Sequence, residues 1–77
     1  MDFKQILTNI ARAIVDNPDA VVVEETVDGD EIELTLAVAE DDTGMVIGRH
    51  GRIAKAIRQI MKSAANNCGK HVTVKIK

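Results

Sequence analysis

Residues 46–57 read Val46-Ile47-Gly48-Arg49-His50-Gly51-Arg52-Ile53-Ala54-Lys55-Ala56-Ile57, and both fold and function turn on this stretch. Two glycines bracket a cationic and a titratable side chain, and a basic amphipathic segment follows the second glycine. Glycine admits φ > 0 and lacks the Cβ that would hold a ligand away. A helix starting directly downstream presents unpaired N–H groups and the positive end of its dipole. Together these features predict a small anion site suited to a phosphate. Gly-x-x-Gly alone is a weak pattern; between two apolar runs and with a cationic interior it becomes more specific.

Working outward, periodicity sets the remaining elements. Phe3, Ile6, Leu7, Ile10 and Ile14 recur at helical spacing, with Asp2 and Gln5 placed as a capping box, so a helix is predicted over 2–16 and stopped by Asn17-Pro18. The valine-rich run 20–27 reads as a strand, and Asp28-Gly29-Asp30 as a hairpin turn. In the next strand Ile32, Leu34, Leu36 and Val38 point one way, and Glu33, Thr35, Ala37 and Ala39 the other. Glu40-Asp41-Asp42-Thr43 supplies acids and capping side chains for a short helix over 44–47. A second helix is predicted over 51–66, with Ile53, Ile57, Ile60, Met61 and Ala64 on its apolar face and Arg52, Lys55, Arg58, Gln59 and Lys62 opposite. Gly69 suits its C-terminus. Val72, Val74 and Ile76 alternate along a last strand, leaving His71, Thr73, Lys75 and Lys77 on its other face.

The order is therefore α-β-β-α-α-β. A helical crossover joins the second and third strands, which favours a right-handed parallel pairing. The fold class expected is α+β, a three-stranded mixed sheet with the helices packed on one face.

Seventy-seven residues make one domain, 1–77, and a small one. A chain of this size buries only about 60–65% of its unfolded surface, so modest stability and association with a partner are expected. No run of eighteen apolar residues spans a membrane. Met1-Asp2-Phe3-Lys4 opens an amphipathic segment rather than a signal peptide, and the single cysteine, Cys68, has no disulfide partner, so a cytoplasmic location fits. No cofactor motif or metal-ligand spacing is present. There is no Ser/Cys–His–acid set, no HExxH, and the run from Gly44 to Gly51 lacks the Lys-Ser/Thr ending of a Walker motif, so an enzyme is not expected.

The net charge of −2 conceals a segregation. From Ala13 to Gly48 stand Asp16, Asp19, Glu24, Glu25, Asp28, Asp30, Glu31, Glu33, Glu40, Asp41 and Asp42, with no lysine or arginine. From Arg49 to the end stand Arg49, Arg52, Lys55, Arg58, Lys62, Lys70, Lys75 and Lys77, with no acid. A phosphate responds to charge within a Debye length of roughly 8–10 Å, so the local excess matters more than the total.

The run Val46-Ile47-Gly48-Arg49-His50-Gly51-Arg52-Ile53 resembles the signature of KH domains, and the element order resembles their type II, bacterial arrangement. The resemblance covers nearly the whole chain, with 2–28 as the N-terminal helix and strand extension and 31–77 as the minimal KH core. It is strongest to small, single-domain bacterial KH proteins. It implies single-stranded RNA, or DNA, held in a groove, the Gly-x-x-Gly loop clamping the backbone of about four nucleotides. Gly48 and Gly51 would permit close approach, while Arg49 and His50 would touch phosphates beside Arg52. Val46, Ile47 and Ile53 would line the apolar floor or the core just beneath it. The last strand would form the far wall, where backbone groups, Thr73 or Lys75 reach base edges. The short connection from Asn66 to Lys70 departs from a deep, selective groove.

Near-absence of aromatics (Phe3 alone) fits, because stacking platforms need exposed rings and a KH groove does not. The implied role is an RNA chaperone or post-transcriptional regulator. The alternative is a dimerisation or interaction module, a homodimer or a partner of a larger bacterial KH-containing protein of the Jag type, with RNA contact incidental.

Overall fold

Asp2 starts the first helix of the computed structural model, which describes residues 2–77; residue 1 of the expected 1–77 domain lies outside them. The Asp2 Oδ1 accepts the Gln5 N–H at 3.0 Å, satisfying one of the donors every helix start leaves open. The Gln5 Nε2–H turns forward and donates to Asn9 Oδ1 at 2.8 Å, so only the Asp2 half of the capping box forms. Helix α1 runs Phe3–Ile14, two residues short of the expected end, with Val15 as its C-cap. Pro18 then opens a single 3₁₀ turn, Pro18–Ala20.

Strands β1 (Val22–Asp28) and β2 (Glu31–Ala37) form an antiparallel hairpin in which Asp28 faces Glu31. Only two residues connect them, and Gly29 takes the positive φ (62°) that a tight reversal requires. A 3₁₀ turn, Glu40–Asp42, leads into helix α2 (Thr43–Ile47). Helix α3 runs Arg52–Asn67 and ends in a Schellman motif: Gly69 stands at φ 69°, and Lys70 N–H reaches back to Ala65 O at 2.9 Å. That turn delivers the chain to strand β3 (His71–Ile76), which pairs with β2 in parallel. The sheet order is β1-β2-β3, so the expected α+β arrangement and mixed sheet are both present.

One face of the sheet carries the core. Leu34 and Leu36 from β2, Val72 and Val74 from β3, and Val23 from β1 meet Phe3, Leu7 and Ala11 of α1 and Ile57, Met61 and Ala65 of α3. Burying each large side chain stabilises by roughly 1.5–3 kcal/mol. The face α3 presents differs from the expected one: Ala54, Ile57, Met61 and Ala65 are buried, whereas Ile53 and Ile60 remain 36% and 51% exposed. Ile57, Met61 and Ala65 join the core cluster from this face, and the two larger isoleucines stand at its flank.

The single buried charged side chain among the described residues is Asp42. Expected as a cap for α2, it makes no cap hydrogen bond there. Its carboxylate instead turns to the end of α1, accepting Asp16 N–H (3.3 Å), Asn17 N–H (2.9 Å) and Asn17 Nδ2–H (3.0 Å). A carboxylate tolerates burial only with such donors. This clamp fixes the start of α2, and through it the segment that follows, against the N-terminal extension.

Candidate nucleic-acid interface

The segment Gly48–Gly51 forms the turn between α2 and α3. Gly48 N–H closes α2 on Gly44 O (2.8 Å), and Gly51 N–H returns to Gly48 O (3.2 Å). Three of its four residues hold positive φ: Gly48 at 74°, His50 at 59° and Gly51 at 73°. The left-handed His50 carries a cost of about 1 kcal/mol that glycine does not.

The two glycines do different work. Gly48 (φ 74°, ψ 175°) sits in a region essentially reserved for glycine. A Cβ there would stand 2.7–3.0 Å from three side-chain atoms of Ile53, so Ile53 lies directly over the loop backbone. Gly51 caps α3 in a left-handed conformation, and a Cβ on it would meet open space.

Arg49, His50 and Arg52 are exposed around this turn. No acid stands in the first turn of α3, so its positive end is not neutralised locally. Among the described residues the ion pairs are Lys70–Asp30 (2.9 Å), His71–Glu31 (2.7 Å) and Lys75–Glu33 (3.4 Å). All three tie β3 or its approach to β2 and the hairpin. The acidic half of the chain thus neutralises bases on the sheet and leaves Arg49, Arg52, Lys55 and Lys62 free. The Lys70 hydrogen bond, reinforced by its charge, holds the Asp30 carboxyl below its ordinary 3.8.

The remaining expected residues divide. Val46 is fully buried and belongs to the core. Ile47 is 40% exposed beside the loop, and Met45, absent from the sequence reading, is exposed to the same degree. Thr73 and Lys75 alternate with the buried Val72 and Val74, so their side chains stand on the sheet face away from the helices, Lys75 against Glu33. The loop and these two side chains are therefore not brought to one face.

Arg58, read from the sequence as a solvent-facing charge, lies against the outer edge of β3. Its Nε donates to Val74 O at 3.2 Å. It borders the true core stripe, one turn after Ala54 and one turn before Met61, and a correctly centred helical face would have placed it there. Among the described residues, no enclosed pocket lies between loop and strand, no three potential metal ligands converge, and no helix is long and apolar enough to cross a membrane.

Comparison with known proteins adds a family. The model of the KhpA/KhpB KH domain matches residues 4–76. RNA-binding protein KhpA of Clostridium acetobutylicum is 51% identical over 73 residues, covering 95% of this chain and 97% of the relative. KhpA of Caldanaerobacter subterraneus subsp. tengcongensis is 49% identical over 72 residues, covering 94% and 96%. Among solved structures, Era in complex with MgGDPNP and nucleotides 1506–1542 of 16S ribosomal RNA superposes with a TM-score of 0.71 over 96% of this chain and 28% of that one. At 19% identity this likeness speaks to the fold alone.

Proposed function

The chain belongs to the KhpA/KhpB family of KH domains, and on that premise we propose that it binds single-stranded RNA, the Gly48–Gly51 loop closing on the sugar-phosphate backbone. The observation that carries the reading is the loop itself: positive φ at Gly48, His50 and Gly51, bordered by Arg49 and Arg52, neither of which has an ion-pair partner among the described residues. Exposed Met45 and Ile47 give the bases an apolar surface, and the outer edge of β3 offers backbone groups. Single-stranded DNA shares this chemistry and binds the same surface. The domain acts as a binding module in the cytoplasm, holding RNA for chaperoning or regulation, with 2–28 an extension on the 31–77 core.

Replacing Arg49 and His50 together by Asp places two negative charges at the phosphate site and leaves both glycines untouched. Lost contacts and added repulsion each contribute about 1 kcal/mol or more, so affinity for a labelled single strand falls at least about tenfold. In the parent protein the slope of log K against log salt is about −1.5 to −3, the value for two to four phosphates. Unchanged affinity in a variant folded by circular dichroism would remove the site from the loop.

A second reading, self-pairing, is favoured by the flank of α3, where Ile53 and Ile60 lie two turns apart and exposed. It makes the protein a homodimer, and the same flank is available to a larger KH-containing partner. Sedimentation of the same samples at tens of micromolar separates the readings: a clean monomer would overturn self-pairing and leave RNA binding standing.

A further inference from the structure

Strand β3 ends the sheet, and its backbone faces two ways. His71 N–H donates to Asp30 O and Lys77 N–H to Leu36 O, both at 2.9 Å. The odd-numbered residues therefore spend their backbone groups on β2, and Val72, Val74 and Ile76 turn theirs to the open edge. A bare edge of this kind offers alternating N–H donors and C=O acceptors. Here the central acceptor is taken, because Arg58 Nε donates to Val74 O at 3.2 Å. Arg58 stands seven residues beyond Gly51, about 10 Å along α3, within the reach of a strand of about four nucleotides clamped at the loop.

This contact changes what the edge can read. Guanidinium carries five N–H donors and no acceptor. With Nε committed to Val74, its two terminal nitrogens keep their hydrogens for a ligand, beside the outward N–H groups of β3. The wall is rich in donors, and its middle acceptor has one of its two lone pairs engaged and a guanidinium standing beside the other. Adenine reads well on a bare edge, its N1 accepting from an N–H and its amino group donating to a C=O. Against a guanidinium the amino group meets another donor. Two adjacent acceptors suit the fork instead: O6 and N7 of guanine, or O2 and N3 of cytosine.

Resting on the RNA-binding reading above, we propose that Arg58 is a specificity-determining residue which, by occupying Val74 O, turns the β3 edge toward bases with paired acceptors, guanine or cytosine, and against adenine.

The test uses oligouridine octamers carrying one central adenine, cytosine or guanine, titrated with the full chain, Arg58→Lys, Arg58→Ala and the Arg49→Asp/His50→Asp variant. Expected is a preference of about fivefold or more for the guanine or cytosine octamer over the adenine one, consistent with one bidentate contact; which of the two leads identifies the edge read. Arg58→Lys keeps the charge and most of the affinity but loses the preference. Arg58→Ala frees the carbonyl and raises the adenine octamer relative to the others. Equal preference in parent and Lys variant, or a uniform loss across all octamers in both variants, would overturn the assignment. Loop-dependent binding without base preference refutes the role of Arg58 alone; no binding of any octamer refutes the RNA reading and this one with it.

Discussion

Asp42→Ala is the substitution that tests the architecture most directly, because it touches neither the loop nor the sheet. The wild-type carboxylate accepts three hydrogen bonds from Asp16 and Asn17. A bond to a charged acceptor contributes about 1.5–3 kcal/mol, so the gross loss is roughly 5–9 kcal/mol. Asp16 and Asn17 are exposed, and water takes up their released N–H groups in the variant. The net cost is then about 2–4 kcal/mol, a third or so of the roughly 4–12 kcal/mol expected for 77 residues. Asp42→Asn keeps one carbonyl oxygen for Asn17 and turns an amino group toward Asp16, costing about 1–2 kcal/mol. Urea melts at neutral pH should rank wild type above Asn above Ala. An Ala variant within about 0.5 kcal/mol of wild type, the noise of an ordinary surface change, would refute the clamp, as would an Asn variant no better than Ala.

Two further outcomes follow from the loop and the hairpin. Gly48→Ala combines a disallowed backbone with a clash against Ile53 and should lose about 3 kcal/mol or more, while Gly51→Ala, strained but facing open space, loses about 1–2 kcal/mol; equal losses in thermal melts would contradict this. The Asp30 carboxyl should titrate below 3.8, so its stabilising share is full above that pH and disappears as pH falls through the lowered value; carboxyl chemical shifts follow it, and Lys70→Met should return the titration to its ordinary position, an unmoved curve counting against the pair.

Much of this was legible in the sequence. Alternation in β2 and the helical spacing of Phe3, Ile6, Leu7, Ile10 and Ile14 report the packed faces directly, because one face of each element is wet and the other dry, although the fully buried stripe of α1 runs through Phe3, Leu7 and the smaller Ala11. The loop was legible because glycine and charge are local signals. Three features were not, each for a physical reason. Asp42 sits among Glu40 and Asp41, and nothing local separates the acid that folds inward from its solvated neighbours; the partner is 25 residues away. Counting large apolar residues on α3 drew its face toward Ile53 and Ile60, whereas the buried stripe runs through Ala54, Ile57, Met61 and Ala65. That error hid Arg58. Thr73 and Lys75 were expected at the wall of the groove, but strand alternation sends their side chains behind the sheet, leaving the backbone of Val72 and Val74 at the edge.

The ion pairs along β3 also bear on how a polyanion arrives. Asp30 and Glu33 cancel Lys70 and Lys75 in place, and Glu31 is bonded to the His71 ring, so β3 adds little positive charge to the outer field. What remains is an uneven distribution: Glu24, Glu25 and Asp28 on the far strand, Glu40 and Asp41 before α2, and Arg49, Arg52, Lys55 and Lys62 on the loop and α3. A body so charged is turned by the field of an approaching chain before it touches, and orientation is the slow part of docking. Encounters therefore begin loop-first. Added salt slows capture more than it hastens escape, and removing acids from β1, at the edge of the sheet opposite β3, lessens the net repulsion of a polyanion by a chain of charge −2 and raises the association rate.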